Sequence, residues 1–482
     1  MPESQKKEER DEILRKDKAL KESIKEGSAN AIAEGSGLNY ITPYALALGA
    51  NNAVIGILSS VPSLIGSFSQ LFSFNLLKRV SRKKAVVWGV TLQALMWLPL
   101  LSLGLILAII HQNGTLSNQL SFPLLLVFIY SALVVFGSII SPIWGSWMRD
   151  LVGKDIGTYF GKRTKIISIF SLISMLAAGF ILDYSKQTNV FFGFAAIFGI
   201  AFIARLISAY LLSEQYEPKY VSNQKDYFSF LDFIKNMNGN NYGRFVLYIS
   251  IMVLVTMIAS PFFAVYLLKN LGLSYMWYTL IIISSSLTTI LFVPLWGKFA
   301  DRFGNLAVLH IAGYLVALVP ALYIFVPIIM KFSFVFVLVL LFIDHIISGI
   351  AWSGFNLATG NFVYQAVSRE KMPICLAYSN ILQAIGIFIG AIFGGFLVTW
   401  MAISPLASVN VIGFAYPSLI ILFLISAVLR FLVSALMLPK IHEVIIREKF
   451  EFKKIEHNLS PTHLWYYLRG INHKNTHNHV GI

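Results

Sequence analysis

Three ionisable side chains lie inside long apolar runs of the sequence. Glu34 is near the middle of the first run, and Asp344 and His345 lie in the first half of the tenth. A charge at the centre of a membrane-spanning helix costs at least about 2.5–3.5 kcal/mol, so each is a candidate for function. A carboxylate or imidazole at such a place can bind and release a proton. We predict proton-coupling sites here; the alternatives are structural hydrogen bonds and, for Asp344, a counter-ion to a buried arginine.

The elements that must position these groups follow from the composition. The chain has 482 residues, of which 57% are hydrophobic and 13% are charged. The charged share is about half of the ~25% typical of soluble domains. A bilayer accommodates this composition, and each crossing takes about 20 mostly apolar residues. Runs of that length lie near 24–48, 53–77, 85–110, 121–148, 164–184, 190–213, 245–268, 275–297, 305–330, 333–363, 373–400 and 412–438.

The positive charges predict the orientation of these runs. Of the 38 Lys and Arg residues, 33 lie in the two tails and in alternate connections, and the opposite connections hold three. Such a bias marks the cytoplasmic side, so both termini are predicted there, in the plasma membrane. Anionic lipid explains the basic balance without a nucleic-acid partner. The predicted segments are a tail (1–22), a six-helix bundle (23–213), a cytosolic linker (214–244), a second bundle (245–438) and a tail (439–482).

The two halves resemble each other. "FIARLISAYLL" (202–212) is similar to "AVLRFLVSALML" (427–438), which places Arg205 opposite Arg430, and three further pairs follow in the same order. We interpret these two arginines as anchors that reach toward the membrane surface. The repeat predicts an all-α integral membrane protein with 12 transmembrane helices in two pseudo-symmetric six-helix bundles.

A short connection makes a family resemblance visible. "GKFADRFGN" (297–305) is similar to the loop signature of the major facilitator superfamily, and "DLVGKDIGTYFGKR" (150–163) looks like another of its loops. The resemblance covers residues 23–440. It implies that Asp301 and Arg302 form a cytoplasmic gating pair. Gly297 would permit close helix approach and Gly304 a tight turn. The matching gating residues in the first half are Arg79 and Asp150.

The resemblance also implies that spans one, four, seven and ten line a central cavity. On these spans the polar and aromatic candidates for a substrate pocket are Asn39, Tyr40, Trp144, Trp147, Phe263, Tyr266, Trp352 and Asn356. Pro261 is expected to interrupt span seven beside Phe263. Apart from Arg149 at the end of span four, no Arg or Lys is predicted at depth on these helices, which favours a substrate without a net negative charge.

Together these features predict a secondary active transporter that moves a small organic solute by alternating access, with proton coupling. A lipid flippase of the same fold is the alternative, and a mostly apolar cavity would favour it. A membrane receptor or enzyme is a further alternative, against which the twofold repeat and the absence of nucleotide and catalytic motifs count. No cofactor or metal is expected. The partners expected are the lipid bilayer, a small-molecule substrate and protons, and the protein is expected to be a monomer.

Overall fold

The structure is a computed structural model, and it describes residues 3–77, 79–112, 121–152, 156–218, 229–368, 371–404, 408–411 and 414–445. Residues 219–228 of the predicted linker and residues 446–482 of the predicted C-terminal tail lie outside these ranges. Within the described ranges there are twelve long helical segments, named α1 to α12. Eleven of them, all except α1, are long and apolar enough to cross a membrane.

The first six segments form one bundle. They are α1 (Glu3–Ser36), α2 (Asn52–Ser69), α3 (Arg82–Leu95, continued by Trp97–Gln112), α4 (Ser121–Val152), α5 (Ile156–Ser185) and α6 (Val190–Glu214). Short helices at Leu38–Tyr40, Ile41–Ala47 and Phe72–Leu77 complete the connections. In this bundle α1 packs on α5 and α6, and α3 packs on α4 and α6.

The second bundle repeats this arrangement. Its segments are α7 (Asn241–Met257, then Phe262–Val265 and the π-helical turn Tyr266–Asn270), α8 (Tyr275–Phe303), α9 (Asn305–Ala321, then Leu322–Phe325 and Val326–Met330), α10 (Phe334–Ala366), α11 (Met372–Ile403) and α12 (Ser418–Met437). Leu438–Lys440 is a short 3-10 helix, and Phe230–Asn236 and Met237–Gly239 precede α7. Here α7 packs on α11 and α12, and α9 packs on α10 and α12.

Local sequence signals explain where many of these helices begin. A side-chain oxygen accepts a hydrogen bond from a first-turn N–H at the start of six segments, which satisfies a donor that the helix leaves free. The capping residues are Asn51, Ser81, Asn189, Asn240, Ser274 and Ser333. The predicted interruption of span seven is present, because regular helix stops at Met257 and resumes after Pro261.

Two predicted boundaries differ from the structure. The helix that contains the first apolar run begins at Glu3, so the predicted tail continues into it without a break. The run predicted from residue 412 opens instead with strand β2 (Phe414–Pro417), which pairs antiparallel with β1 (Ser408–Val411). The helix α12 starts only after Pro417, because proline has no N–H to donate and suits a helix start.

Candidate functional site

A cavity of about 530 Å³ lies inside the first bundle, between α1, α3, α4, α5 and α6. This volume is in the range of small-molecule sites. We call the end of the bundles that carries residues 214–241 the linker side and the opposite end the far side. The cavity extends from Glu26 and Leu212 on the linker side to Leu38 and Trp97. Nine of its 22 lining residues are charged, amide or hydroxyl side chains: Glu26, Asn30, Glu34, Gln93, Ser141, Arg163, Ser168, Ser171 and Arg205.

Glu26 is the centre of an ion cluster in the wall of this cavity. Its side chain is 6% exposed, with one carboxylate oxygen 3.1 Å from Nη2 of Arg163 and the other 4.0 Å from Nη1 of Arg205. Ser208 donates a hydrogen bond of 2.9 Å to the same carboxylate. The guanidinium of Arg163 also lies 4.8 Å from the ring centre of Trp144, a cation–π contact. One carboxylate therefore ties α1 to both α5 and α6.

Arg205 extends this cluster toward Glu34. Its Nε donates to Oε1 of Gln93 at 2.8 Å, and its Nη1 donates to Ser208 and to the side-chain oxygen of Asn30. The amide nitrogen of Asn30 in turn donates to Oε1 of Glu34 at 2.8 Å. Glu34 itself is exposed and lines the cavity. Asn30 thus connects a buried arginine to the carboxylate that was predicted as a proton site.

The sequence reasoning missed Arg163 and Arg205 as cavity residues, because it looked for cations only on spans one, four, seven and ten, and these two arginines lie on α5 and α6. Arg163 was assigned to a connection because span five was placed at 164–184, whereas α5 begins at Ile156. Arg205 was interpreted as a surface anchor, but its side chain is only 10% exposed and faces the cavity. The polar first helix was the available signal, since a buried carboxylate such as that of Glu26 needs a cationic partner.

The second bundle contains a dry counterpart of this cluster. Arg430 is fully buried and donates to Ser426 on its own helix α12, to the carbonyl of Val316 on α9 and to the carbonyl of Thr256 on α7. Asp344 is its electrostatic neighbour and is 2% exposed. Arg430 does not reach the surface, so the anchor interpretation is wrong for it as well.

The three predicted proton sites are therefore separated. Glu34 faces the cavity of the first bundle, and Asp344 points into the interior of the second. His345 is 15% exposed; its Nδ1 lies 3.4 Å from Asp344 and 3.1 Å from the carbonyl oxygen of Leu341. One oxygen of Asp344 has no hydrogen-bond partner among the described residues.

Of the predicted pocket residues in the first half, only Trp144 lines the cavity. Asn39 is exposed and donates to the carbonyl of Glu34 at 3.2 Å. Tyr40 is fully buried beyond the cavity, toward the far side. Trp147 is also fully buried and donates from its ring nitrogen to the carbonyl of Tyr216, at the start of the linker.

The predicted pocket residues in the second half do not join them. Phe263 and Tyr266 stack in an aromatic cluster with Tyr323 and Phe423 inside the second bundle. Trp352 packs edge-on against Phe355, and Asn356 is exposed. These residues on α7 and α10 therefore do not line the charged cavity of the first bundle. Aromatic residues at helical spacing serve here as packing for the second bundle.

The predicted gating residues in the first half have a different pairing. Arg79 is exposed, and it is Arg82 whose Nη1 lies 2.6 Å from Asp150 at the end of α4. Arg82 is fully buried and also contacts Glu217, at 3.5 Å, in the segment that follows α6. The Glu217 carboxylate accepts the backbone N–H of Arg82 at 3.0 Å. Glu217 therefore attaches the beginning of the linker to the start of α3, and Arg82 connects both to the end of α4.

The second-half loop has an equivalent cap but no close approach at Gly297. A Cβ added at Gly297 would meet no atom within 4 Å, and Asp301 and Arg302 are exposed. Gly304 has a φ of +92°, which permits the tight turn between α8 and α9. Beside it, Glu443 accepts the N–H of Leu306 at 2.7 Å. Glu443 therefore does for α9 what Glu217 does for α3.

Hydrogen bonds join the two bundles on the far side. The hydroxyl of Tyr40 on the first bundle lies 2.6 Å from that of Thr279 on α8 and donates to the carbonyl of Met175 at 2.7 Å. Asp183 at the end of α5 accepts the N–H groups of Tyr275 and Met276, at 2.8 and 2.9 Å. A carboxylate is favourable at the N-terminus of a helix such as α8. These contacts form a far-side seal.

Close helix packing completes the far-side seal. A Cβ added at Gly56 on α2 would lie 2.6 Å from the carbonyl oxygen of Ala391 on α11, and one at Gly395 would lie 3.0 Å from that of Asn52. The neighbouring glycines of α11, at 386, 390 and 394, instead approach the carbonyls of α7 within the same bundle. Only one edge of this glycine-rich helix therefore meets the other bundle. No group of three or more His, Cys, Asp and Glu residues in the described ranges is placed to hold a metal.

The fold and this site define a class of protein. The sequence model of the Major Facilitator Superfamily matches residues 29–391, and the chain belongs to that family. It is a multi-pass membrane transporter. Among the curated proteins that were compared, none matches the chain.

Solved transporters share the fold at low sequence identity. The nucleoside transporter NupG is 18% identical with a TM-score of 0.62, covering 87% of this chain and 98% of its own. A bacterial homologue of the iron transporter ferroportin in its inward-facing state is 12% identical with a TM-score of 0.63, covering 88% and 98%. An outward-facing structure of a bacterial ferroportin homologue has 13% identity, the same coverage and a TM-score of 0.52. At these identities the likeness concerns the fold.

Proposed function

We propose that the protein is a secondary active transporter that moves a small organic solute by alternating access, coupled to protons. The observation that carries the proposal is the 530 Å³ cavity, whose wall holds ionisable side chains at membrane depth and which ends short of the far-side seal. A transporter of this kind needs a binding site that is closed to one side at a time. The higher TM-score with the inward-facing ferroportin homologue supports the same state for this chain.

Glu34 is the proposed proton carrier. It is the one of the three predicted proton sites that faces the cavity, and Asn30 links it to Arg205, so its charge state affects the cluster behind it. Asp344 is proposed as the counter-ion of Arg430 instead. Both termini are proposed to be cytoplasmic, in the plasma membrane, with the linker side facing the cytosol and the protein working as a monomer.

The test is uptake by proteoliposomes. Full-length protein is reconstituted, a pooled mixture of metabolites is added outside, and the solutes that accumulate under an imposed pH gradient are identified by mass spectrometry. We expect the unmodified protein to accumulate a solute, and a protonophore to abolish this accumulation. In the Glu34→Gln variant, accumulation should no longer depend on the pH gradient. The matched control is Glu22→Gln, which removes a carboxylate paired with Lys25 on the same helix. Accumulation by Glu34→Gln that still follows the pH gradient would exclude Glu34 as the carrier.

The flippase alternative would require a mostly apolar cavity. A lipid tail needs an apolar path, whereas nine of the 22 lining residues carry charged, amide or hydroxyl groups. Scrambling of a labelled phospholipid in the same liposomes, without uptake of any soluble metabolite, would favour the flippase over the solute transporter.

A further inference from the structure

The cavity holds two arginines whose hydrogen-bonding capacity is incompletely used. Arg163 donates from Nε to the carbonyl of Ser23 and from Nη2 to Glu26, and its Nη1 bonds to no described residue. Arg205 donates from Nε and Nη1, and its Nη2 bonds to none of the residues described. Neither of these two nitrogens is among the fully buried polar atoms that lack a hydrogen-bond partner. Both are therefore accessible to solvent. The cavity wall therefore presents one unbonded guanidinium nitrogen from each of the two arginines.

The charges of the wall balance only when Glu34 is ionised. The ionisable lining residues are Glu26 and Glu34 on α1, Arg163 on α5 and Arg205 on α6, while the lining parts of α3 and α4 carry none. With both carboxylates ionised the formal charges cancel. When a proton occupies Glu34, the wall carries one net positive charge. An anion entering the cavity is then attracted by an excess of positive charge that is poorly screened at this depth.

The remaining wall suits an organic body. Trp144 stacks beside Arg163, and Trp97 and Leu38 line the deep end of the cavity. Arginine presents a planar pair of donors that matches the oxygens of a carboxylate or phosphate. A ligand can thus place an anionic group at the arginines and an apolar or aromatic part against the tryptophans.

We propose that the substrate carries a carboxylate or phosphate group that binds between Arg163 and Arg205, and that it binds together with a proton on Glu34. This inference rests on the proposed transport function and names its substrate class. It replaces the sequence-based preference for a substrate without negative charge. Each transport cycle would then carry the anion and the proton in the same direction, because the proton keeps the loaded cavity neutral.

The experiment measures binding to purified full-length protein by thermal unfolding in detergent. Four probes share one benzene ring and differ in the attached group: benzoate, phenyl phosphate, benzamide and benzylamine, all at equal ionic strength. We expect stabilisation by benzoate or phenyl phosphate, and none by the neutral or cationic probe. Which of the two anions stabilises more strongly distinguishes a carboxylate from a phosphate substrate. Lack of any shift with both anions, or an equal shift with benzamide, overturns the proposal.

Variants identify the site of the effect. Arg163→Gln should weaken the anion at least about tenfold, the order expected for a lost charge-assisted pair, and Arg163→Lys should restore part of it because the charge remains. Arg149→Gln, which removes an exposed arginine outside the cavity, is the matched control. If Arg163→Gln and the unmodified protein bind the anion equally, the assignment is wrong.

The proton part of the proposal has a separate readout. Carboxylic acid probes stay ionised above about pH 6, and in that range we expect anion binding to tighten several-fold as the pH is lowered, because the proposal couples the anion to a proton on Glu34. Glu34→Gln, which removes this negative charge at every pH, should bind the anion more tightly than the unmodified protein at pH 8 and without pH dependence. Unchanged pH dependence in this variant overturns coupling through Glu34. Uptake of a neutral metabolite by liposomes, with no anion binding, would overturn this inference while leaving transport itself intact.

Discussion

Arg205 and Arg430 occupy equivalent places in the two bundles, about 225 residues apart in the chain. Each lies on the last helix of its bundle and reaches the third and first helices: Arg205 contacts Gln93 and Asn30, and Arg430 contacts the carbonyls of Val316 and Thr256. The surroundings differ, since Arg205 lines a cavity and Arg430 is 1% exposed. Two equivalent positions therefore have different roles: Arg205 lines a cavity in one half, and Arg430 is packed in the interior of the other.

This asymmetry predicts that Arg430 is mainly structural. Arg430→Leu would remove a hydrogen bond from each of two backbone carbonyls and leave Asp344 uncompensated; breaking a buried charge pair costs about 3–5 kcal/mol. We expect a clear fall in the thermal midpoint of the purified protein. The double variant Arg430→Leu with Asp344→Leu should recover much of the loss, because the unpaired charge is then gone. A double variant no more stable than the single one would show that Asp344 is not the counter-ion.

A second prediction concerns Asp183 in the far-side seal. Asp183→Asn should weaken the cap on α8 and open the seal more often, since the amide cannot hold two N–H groups as an ionised carboxylate does. The reporter is Met175→Cys, a buried position beside Tyr40, in a Cys375→Ser background. Its reaction with a water-soluble maleimide should speed up several-fold.

The control for this measurement is Asp232→Asn, which removes an exposed carboxylate from the short helix before α7. An equal rate of labelling in the Asp183→Asn variant and in the control would mean that the cap does not hold the seal closed.

A third prediction tests the contact between α2 and α11. Gly56→Val would place its side chain against the carbonyl of Ala391, where even a Cβ would be at 2.6 Å. The helices must separate, so we expect faster labelling at Met175→Cys and a lower thermal midpoint. Gly145→Ala is the matched control, because a Cβ there meets no atom within 4 Å. In this helical position alanine should stabilise by about 0.5–1 kcal/mol. Similar midpoints for the two variants would contradict the close packing.

The caps on α3 and α9 give a fourth prediction. Glu443→Gln weakens one charged cap, worth about 1 kcal/mol. Glu217→Gln weakens the equivalent cap and also removes a partner of the buried Arg82. We therefore expect Glu217→Gln to lower the thermal midpoint more than Glu443→Gln. The reverse order would show that the contact between Arg82 and Glu217 adds little.

Much of the fold could be predicted from the sequence because apolar length and positive charge are additive signals. The spans, their number and the repeat depend on long averages, and small boundary errors do not alter them. The cavity depends on single side chains. A shift of eight residues in the start of α5 moved Arg163 from a connection into the site.

Other parts of the site could not be predicted because they depend on the direction in which a side chain points. Tyr40 and Trp144 are both aromatic residues on predicted cavity helices, yet one closes the far side and the other lines the cavity. Arg79 lies three residues before Arg82, the first residue of α3, and the contacts with Asp150 and Glu217 distinguish Arg82 from it. The spacing of residues along the chain does not indicate which of two such neighbours makes the contact.

The first helix has a mechanical consequence. It runs without a break over 34 residues, about 50 Å at 1.5 Å per residue. Residues 10–15 of this helix are exposed, whereas Ala19 is buried and the carbonyl of Leu20 accepts a hydrogen bond from Tyr159. The exposed turns at residues 10–15 are thus joined by continuous helix to Glu26 and Glu34. A fluorophore attached to those turns would report tilting of the charged wall from tens of ångströms away.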